Sequence, residues 1–196
     1  MDEYRNIAPE DDLSSDQIVS FCINNPQFAL KIISEVYPLP NPLIQKFRDK
    51  IDWSSLSSNK AVLWTDELLE KYTDKWEWTY LGSNEAIAWG EKLIDKYINH
   101  HNQWSWWSSL GANENILWSE KLIEKYKTNW ELIGQENDPI WVCLSSNSSL
   151  PWTDSLIEKY KDKWEWKCLS ENAGLPWSDE LIERYSSKWN FRNLSY

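Results

Sequence analysis

The chain is poor in the residues that build catalytic loops and metal cages. Five glycines in 196 residues leave no G-x-x-x-x-G-K-[ST] or G-x-G-x-x-G loop to cradle a phosphate. Two histidines and three cysteines form no H-E-x-x-H and no C-x-x-C, and G-x-S-x-G is missing too. The expectation is a non-enzymatic protein without a cofactor or a metal; a carboxylate site of unfamiliar design is the one enzymatic reading left open. A long apolar run is also lacking, so nothing reaches the ~20 residues that span a bilayer. The opening MDEYRNIAPEDDLSSD has neither the basic n-region nor the apolar h-region of a secretory signal. A soluble, cytoplasmic protein that leaves membranes alone is expected.

A basic surface is missing as well. The net charge is −11, which disfavours nucleic acid and anionic lipid as partners. The acidity is uneven: residues 1–20 hold six acids and one base, a net of −5. The rest of the chain is only mildly acidic, so it does not read as a DNA mimic. Cys22, Cys143 and Cys168 are odd in number and far apart. Cys143 and Cys168 each follow a tryptophan, Trp141 and Trp166, by two residues, which reads as small buried thiols rather than a disulfide framework.

What the chain has in abundance is tryptophan, sixteen of them, at fixed places. One unit runs W-x-x-L-[SG]-x-N-x-x-[IVL]-x-W-[STG]-x-x-L-[LI]-[ED]-[KR]-Y-x-x-K-W. Units start at Trp53, Trp78, Trp107, Trp141 and Trp166, and a partial one carries Phe191; three of these five spacings are 25 residues. A half unit, NPLIQKFRDKIDW, precedes them with Phe47 for Tyr72 and Ile51 for Trp76.

The second half of each unit predicts a helix. In WTDELLEKYTDKW, Thr65 is an N-cap, and Asp66 and Glu67 suit the positive end of the helix dipole. Leu68, Leu69, Tyr72 and Trp76 share one face. Trp64 and Leu69 have hydrophobic-staple spacing. Glu67/Lys71 and Glu180/Arg184 read as i, i+4 pairs on the wet face. The first half, such as Trp78 to Leu81, allows about two turns of helix, stopped by an Asn that tolerates a left-handed backbone. Pro151 and Pro176 keep the chain from continuing as helix. Each unit is therefore an αα-hairpin, and tandem hairpins stack into an α-solenoid. The fold class expected is all-α, an α-solenoid of short αα-hairpin repeats with a helical N-terminal cap. Residues 1–13 are a loose acidic terminus, 14–40 the cap (with Asn25 and Pro26 opening its second helix), and 41–196 the Trp-rich array.

The tandem phrase W-x-W-x-x-L-S-x-N-x-x-L-P-W-S-x-E-L-I-E-K-Y resembles the short Trp-rich tandem helical repeats of uncharacterised bacterial and giant-virus proteins. The resemblance covers about residues 41–196. It implies a repeat array and brings no catalytic motif and no substrate.

The period breaks in one kind of place. From the helix Tyr or Phe to the next anchor Leu the interval is nine in four units, but thirteen from Tyr97 to Leu110 and eighteen from Tyr126 to Leu144. Insertions in repeat proteins map to one face, often the binding face. His100, His101, Asn102, Trp106, Trp107, Gln135, Glu136, Asn137 and Asp138 are therefore candidate partner-binding residues on a shared rim. One tryptophan of the Trp104, Trp106, Trp107 cluster exceeds what the periodic core needs. Phe191, Leu194 and Tyr196 form a candidate end face for self-association. The function expected is protein binding, as an adaptor, an inhibitor or an immunity-type partner. The alternative is a carbohydrate or single-stranded nucleic-acid binder that stacks its ligand on exposed Trp faces.

Overall fold

The computed structural model describes residues 20, 23–98, 104–133 and 139–192. The expected loose terminus 1–13, most of the first cap helix and Cys22 lie outside the described residues. The helices follow in pairs: α1 (Pro26–Val36) and α2 (Asn41–Phe47), α3 (Trp53–Ser58) and α4 (Asp66–Lys71), α5 (Trp78–Ser83) and α6 (Glu91–Tyr97), α7 (Trp104–Ala112) and α8 (Glu120–Ile133), α9 (Pro139–Ser146) and α10 (Asp154–Lys159), α11 (Trp166–Glu171) and α12 (Asp179–Arg184). The first helices of the pairs pack one on the next in a single row, α1 to α3 through to α11. The chain is an all-α helical repeat solenoid.

Helices this short are marginal on their own, and three features fix each unit. The first is the cap. Thr65, Ser119, Thr153 and Ser178 each accept a hydrogen bond from the backbone N–H three residues on, at 3.1–3.2 Å. Gly90 interrupts this series at α6, which has no side-chain cap. The second is a cluster of four rings. Trp53, Trp64, Tyr72 and Trp76 form the cluster of the first full unit, with ring centroids 4.9–6.1 Å apart. The arrangement recurs with Tyr97, Tyr126, Tyr160 and Tyr185. Tilted and edge-on contacts prevail, as the ring quadrupoles favour. Below the rings lie the anchor residues Leu56, Leu81, Leu110, Leu144 and Leu169, all with no exposed surface.

The third feature revises the expected role of the asparagines. Asn59, Asn84 and Asn172 end their helices with extended backbone, φ −72 to −84°, and no described non-glycine residue has positive φ. These asparagines act through their side chains, which are buried. The Asn84 amide donates to Ser57 O at 2.9 Å and Asn59 O at 3.3 Å in the preceding unit, while its Oδ1 accepts from Ala86 N at 3.0 Å. Asn59, Asn113, Asn147 and Asn172 reach back in the same way. The result is a buried ladder that satisfies carbonyls each helix end would otherwise leave open.

The ladder also identifies α1. Asn59 donates to Ser34 O at 2.8 Å, just as Asn84 donates to Ser57 O. Ser34 Oγ bonds Leu30 O at 2.7 Å, as Ser57 Oγ bonds Trp53 O. Helix α1, expected only as part of a cap, is thus the first helix of a unit zero whose four ring positions hold Leu30, Leu39, Phe47 and Ile51.

Candidate functional site

The two row faces differ in chemistry. Helices α3, α5, α7 and α9 read WSSLSS, WTYLGS, WSWWSSLGA and PIWVCLSS, without one charged residue. Adjacent in the row, they present Ser54, Ser58, Tyr80, Ser83, Trp104, Ala112, Val142 and Ser146 to solvent. The stripe ends at α11, which carries Lys167 and Glu171. The second helices carry the charge. Lys96 bonds Glu70 at 2.9 Å, Lys125 bonds Glu91 and Asp95 at 2.8 and 2.6 Å, Lys159 bonds Glu120 at 2.8 Å and Arg184 bonds Asp154 at 3.1 Å. The expected pairs within a helix are replaced: Lys71 reaches Gln45 and Arg184 reaches Asp154, both in the preceding unit. Each base reaches the neighbouring second helix because the row brings those helices side by side.

This ladder sets the protonation states. Hydrogen bonds from Lys127, Tyr160 and Lys159 hold the Glu124 carboxyl down at about 2. Lys125 holds Asp95 and Glu91 below the usual carboxylate range. Burial, then the hydrogen bond to Glu124, pushes the Tyr160 phenol up to about 12. Burial, then Glu158, does the same for Tyr185. Burial raises the Cys143 thiol, so this half-buried cysteine stays protonated at neutral pH.

The middle units depart from the pattern at the backbone. In regular units a serine precedes the ladder Asn by two. Ser57 Oγ accepts from Glu77 N at 3.0 Å, Ser145 Oγ from Glu165 N at 2.9 Å and Ser170 Oγ from Asn190 N at 2.9 Å, fixing the start of the next first helix. Gly82 and Gly111 stand at this place in the two units that precede the insertions. There the next first helix starts early, at Trp104 and Pro139. A Cβ on Gly82 would lie 2.9 Å from Ser109 Cβ and 3.1 Å from Trp106, so the glycine admits the extra turn. The Ser-to-Gly exchange at these two places is the sign of this rerouting in the sequence.

Rerouting has a cost. In regular units the fourth ring donates to a carbonyl seven residues back: Trp76 to Leu69 O, Trp164 to Ile157 O and Trp189 to Ile182 O, at 3.0–3.2 Å. The indole N–H groups of Trp106, Trp118, Trp130 and Trp141 are buried without a hydrogen-bond partner. An unpaired buried donor costs about 1–3 kcal/mol. The centre of the array is where the fold gives up hydrogen bonds to change its chain path.

Of the expected rim residues, Trp106 and Trp107 are 1% and 0% exposed. They belong to the ring clusters, Trp106 at the place of Trp76 and Trp107 at that of Trp53, because the early start of α7 turns both inward. The surplus ring is Trp104, 55% exposed. His100, His101, Asn102, Gln135, Glu136, Asn137 and Asp138 lie outside the described residues. The insertions lead into α7 and α9, which pack directly on each other. At the end face Phe191 is exposed, and Leu194 and Tyr196 lie outside the described residues. Among the described residues no group of three His, Cys, Asp or Glu could hold a metal, and no helix is long and apolar enough to cross a membrane. Compared with family models, with curated proteins and with solved structures, the chain finds no match in any of the three.

Proposed function

We propose that the chain is a non-enzymatic protein-binding module, an adaptor, inhibitor or immunity-type partner. Its contact surface is the uncharged face of α3, α5, α7 and α9 together with the rim of the two insertions. The observation that carries this reading is that face itself: four adjacent helices without a charge, in a chain of which 26% is charged, with one open indole at its centre. Interface cores are depleted in charge and enriched in Trp and Tyr, and a few such rings carry most of the binding energy. Trp104 stands at the mouth of the first insertion, with Tyr80 and Val142 on the neighbouring helices. A stacking surface for sugars or bases would need several open rings in a row, and Trp104 is the single described tryptophan that is more than half exposed.

The test is affinity capture from the native host with wild type, Trp104→Glu with Tyr80→Glu, and a variant whose insertions are cut to the regular nine-residue interval. Capture of a specific partner by wild type, lost with the double substitution while the far-UV spectrum is unchanged, is the expected result. Capture that survives both variants overturns the assignment of this surface.

A further inference from the structure

The second helices show what a joint between units buries. Tyr72, Tyr97, Tyr126, Tyr160 and Tyr185 are 1–9% exposed, each with a unit before it. In unit zero the same place holds Phe47, 37% exposed. Leu43, in the column of the buried Leu68 and Leu181, is only partly buried beside it. Both line an apolar cavity of about 270 Å³. A different column breaks at the opposite end of the array. Leu69, Ile94, Ile123 and Ile157 are 0–1% exposed, each with a unit after it, whereas Ile182 in α12 is only partly buried. The α2 end and the α12 end thus show the two complementary halves of one joint.

The charge ladder breaks at the same two helices. Within the chain each base reaches back to two acid positions of the preceding second helix. Lys125 takes Glu91 and Asp95, and Lys159 takes Glu120 and Glu124. Lys46 holds the base position in α2. Its ammonium lies over the Phe47 ring, 5.4 Å from the centroid, and pairs with no acid among the described residues. Asp179 and Glu183 hold both acid positions in α12, are exposed, and pair with no base among the described residues. The surroundings extend the match. Residues 26–51 hold four bases against two acids. Helix α12 holds three acids and one base, Arg184, which is already bonded to Asp154. Like ends repel and unlike ends attract, which favours a head-to-tail contact.

We propose that a second copy of this chain docks end to end, α2 of one copy lying beside α12 of the next in the register by which second helices follow one another within the chain. Lys46 pairs with Asp179 and Glu183 of the next copy, as Lys125 pairs with Glu91 and Asp95, and Leu43 and Phe47 cover its Ile182. Such a contact is heterologous. It leaves one free end of each kind on every pair, so assembly grows by addition and does not close at a dimer.

Sedimentation equilibrium of the full chain tests this, with Lys46→Glu, Asp179→Lys combined with Glu183→Lys, and the triple reversal beside wild type. All three positions are exposed, so the variants keep the fold, which the far-UV spectrum checks. The average mass of wild type is expected to rise with concentration from 23.4 kDa past that of two copies without levelling. Each variant alone weakens association roughly tenfold, since two exposed ion pairs become repulsions. An equal mixture of the two variants regains it, and so does the triple reversal, because both bring opposite charges to the joint. A wild-type mass that stays at one copy up to about 1 mM, the weak end of specific binding, overturns the proposal and leaves the α2 face to the chain's own residues 1–19 or to another protein. A mass that levels at two copies overturns the head-to-tail arrangement. Association indifferent to every reversal overturns the pairing of Lys46 with Asp179 and Glu183.

Discussion

The regular units and the two middle units hold the same ring cluster by different routes. In the regular units the fourth ring follows its own helix, as Trp164 follows α10, and donates to a carbonyl seven residues back. In the middle, Trp106 comes from the next first helix and Trp130 from the lengthened α8, and both indole N–H groups are left unpaired. Edge-on contacts to the neighbouring Trp persist in both cases, at 5.8 Å for Trp78–Trp106 and 4.9 Å for Trp141–Trp164. Ring position is therefore the conserved quantity within this chain, and backbone path and hydrogen bonding are negotiable. The difference also shows where stability has been given up, beside the uncharged face.

The sharpest way to separate the two regions is to remove the fourth ring in each. Trp164→Ala is expected to cost about 3–5 kcal/mol, the range for deleting a buried aromatic. Trp130→Ala should cost about 1–2 kcal/mol less, because it removes an unpaired donor and not a hydrogen bond. Urea unfolding of both variants gives the comparison, and equal losses would mean that the orphaned N–H groups carry no penalty. The asparagine ladder should be indifferent to the region. Asn147→Ala is expected to cost about 2–3 kcal/mol by stranding Gly111 O and Ser149 N, and Asn172→Ala much the same.

The glycines offer a finer test. Gly82→Ser forces a Cβ to 2.9 Å from Ser109 Cβ, which should cost about 1–3 kcal/mol as overpacking. Gly111→Ser meets nothing nearer than 3.4 Å and should stay within about 0.5 kcal/mol. A reversed order in thermal unfolding would remove close approach as the reason for glycine at 82.

The smallest effects belong to the charge ladder, since exposed pairs contribute little. Glu124 is held at about 2, so on acidification the unfolded chain takes up its proton first. Stability present above ~pH 4.5 is lost as the pH falls toward 2. Tyr160 and Tyr185 are raised to about 12, so stability is lost again as the pH rises from ~10 to 12, where the unfolded phenols ionise first. Between these limits the unfolding midpoint should stay flat, and a step near neutral pH would point to a group outside the ladder.

Local features of the sequence translated directly into structure. Thr65, Thr153 and Ser178 cap the helices that follow them, and Trp, Tyr and Leu at helical spacing fill the core. Features that act between units were harder to read. An asparagine at a helix end suggests a local backbone conformation; the carbonyls its amide donates to lie 22 or more residues back and emerge only when the hairpins are stacked. Unit zero was harder to read, since Leu30 and Leu39 stand where the other units hold rings. Trp106 and Trp107 looked like rim residues because the insertion precedes them. The early start of α7, signalled by Gly82, turns them inward and leaves Trp104 outside.

The asparagine ladder also bears on how such a chain can change over time. Each rung binds backwards through backbone carbonyls, which are present whatever side chains a unit carries. Duplicating or deleting a regular block of 25 residues, the spacing from Trp141 to Trp166, would reproduce the same joint at the new boundary. Copy number can thus drift by recombination without a compensating substitution, and a lineage can lengthen or shorten its array one rung at a time.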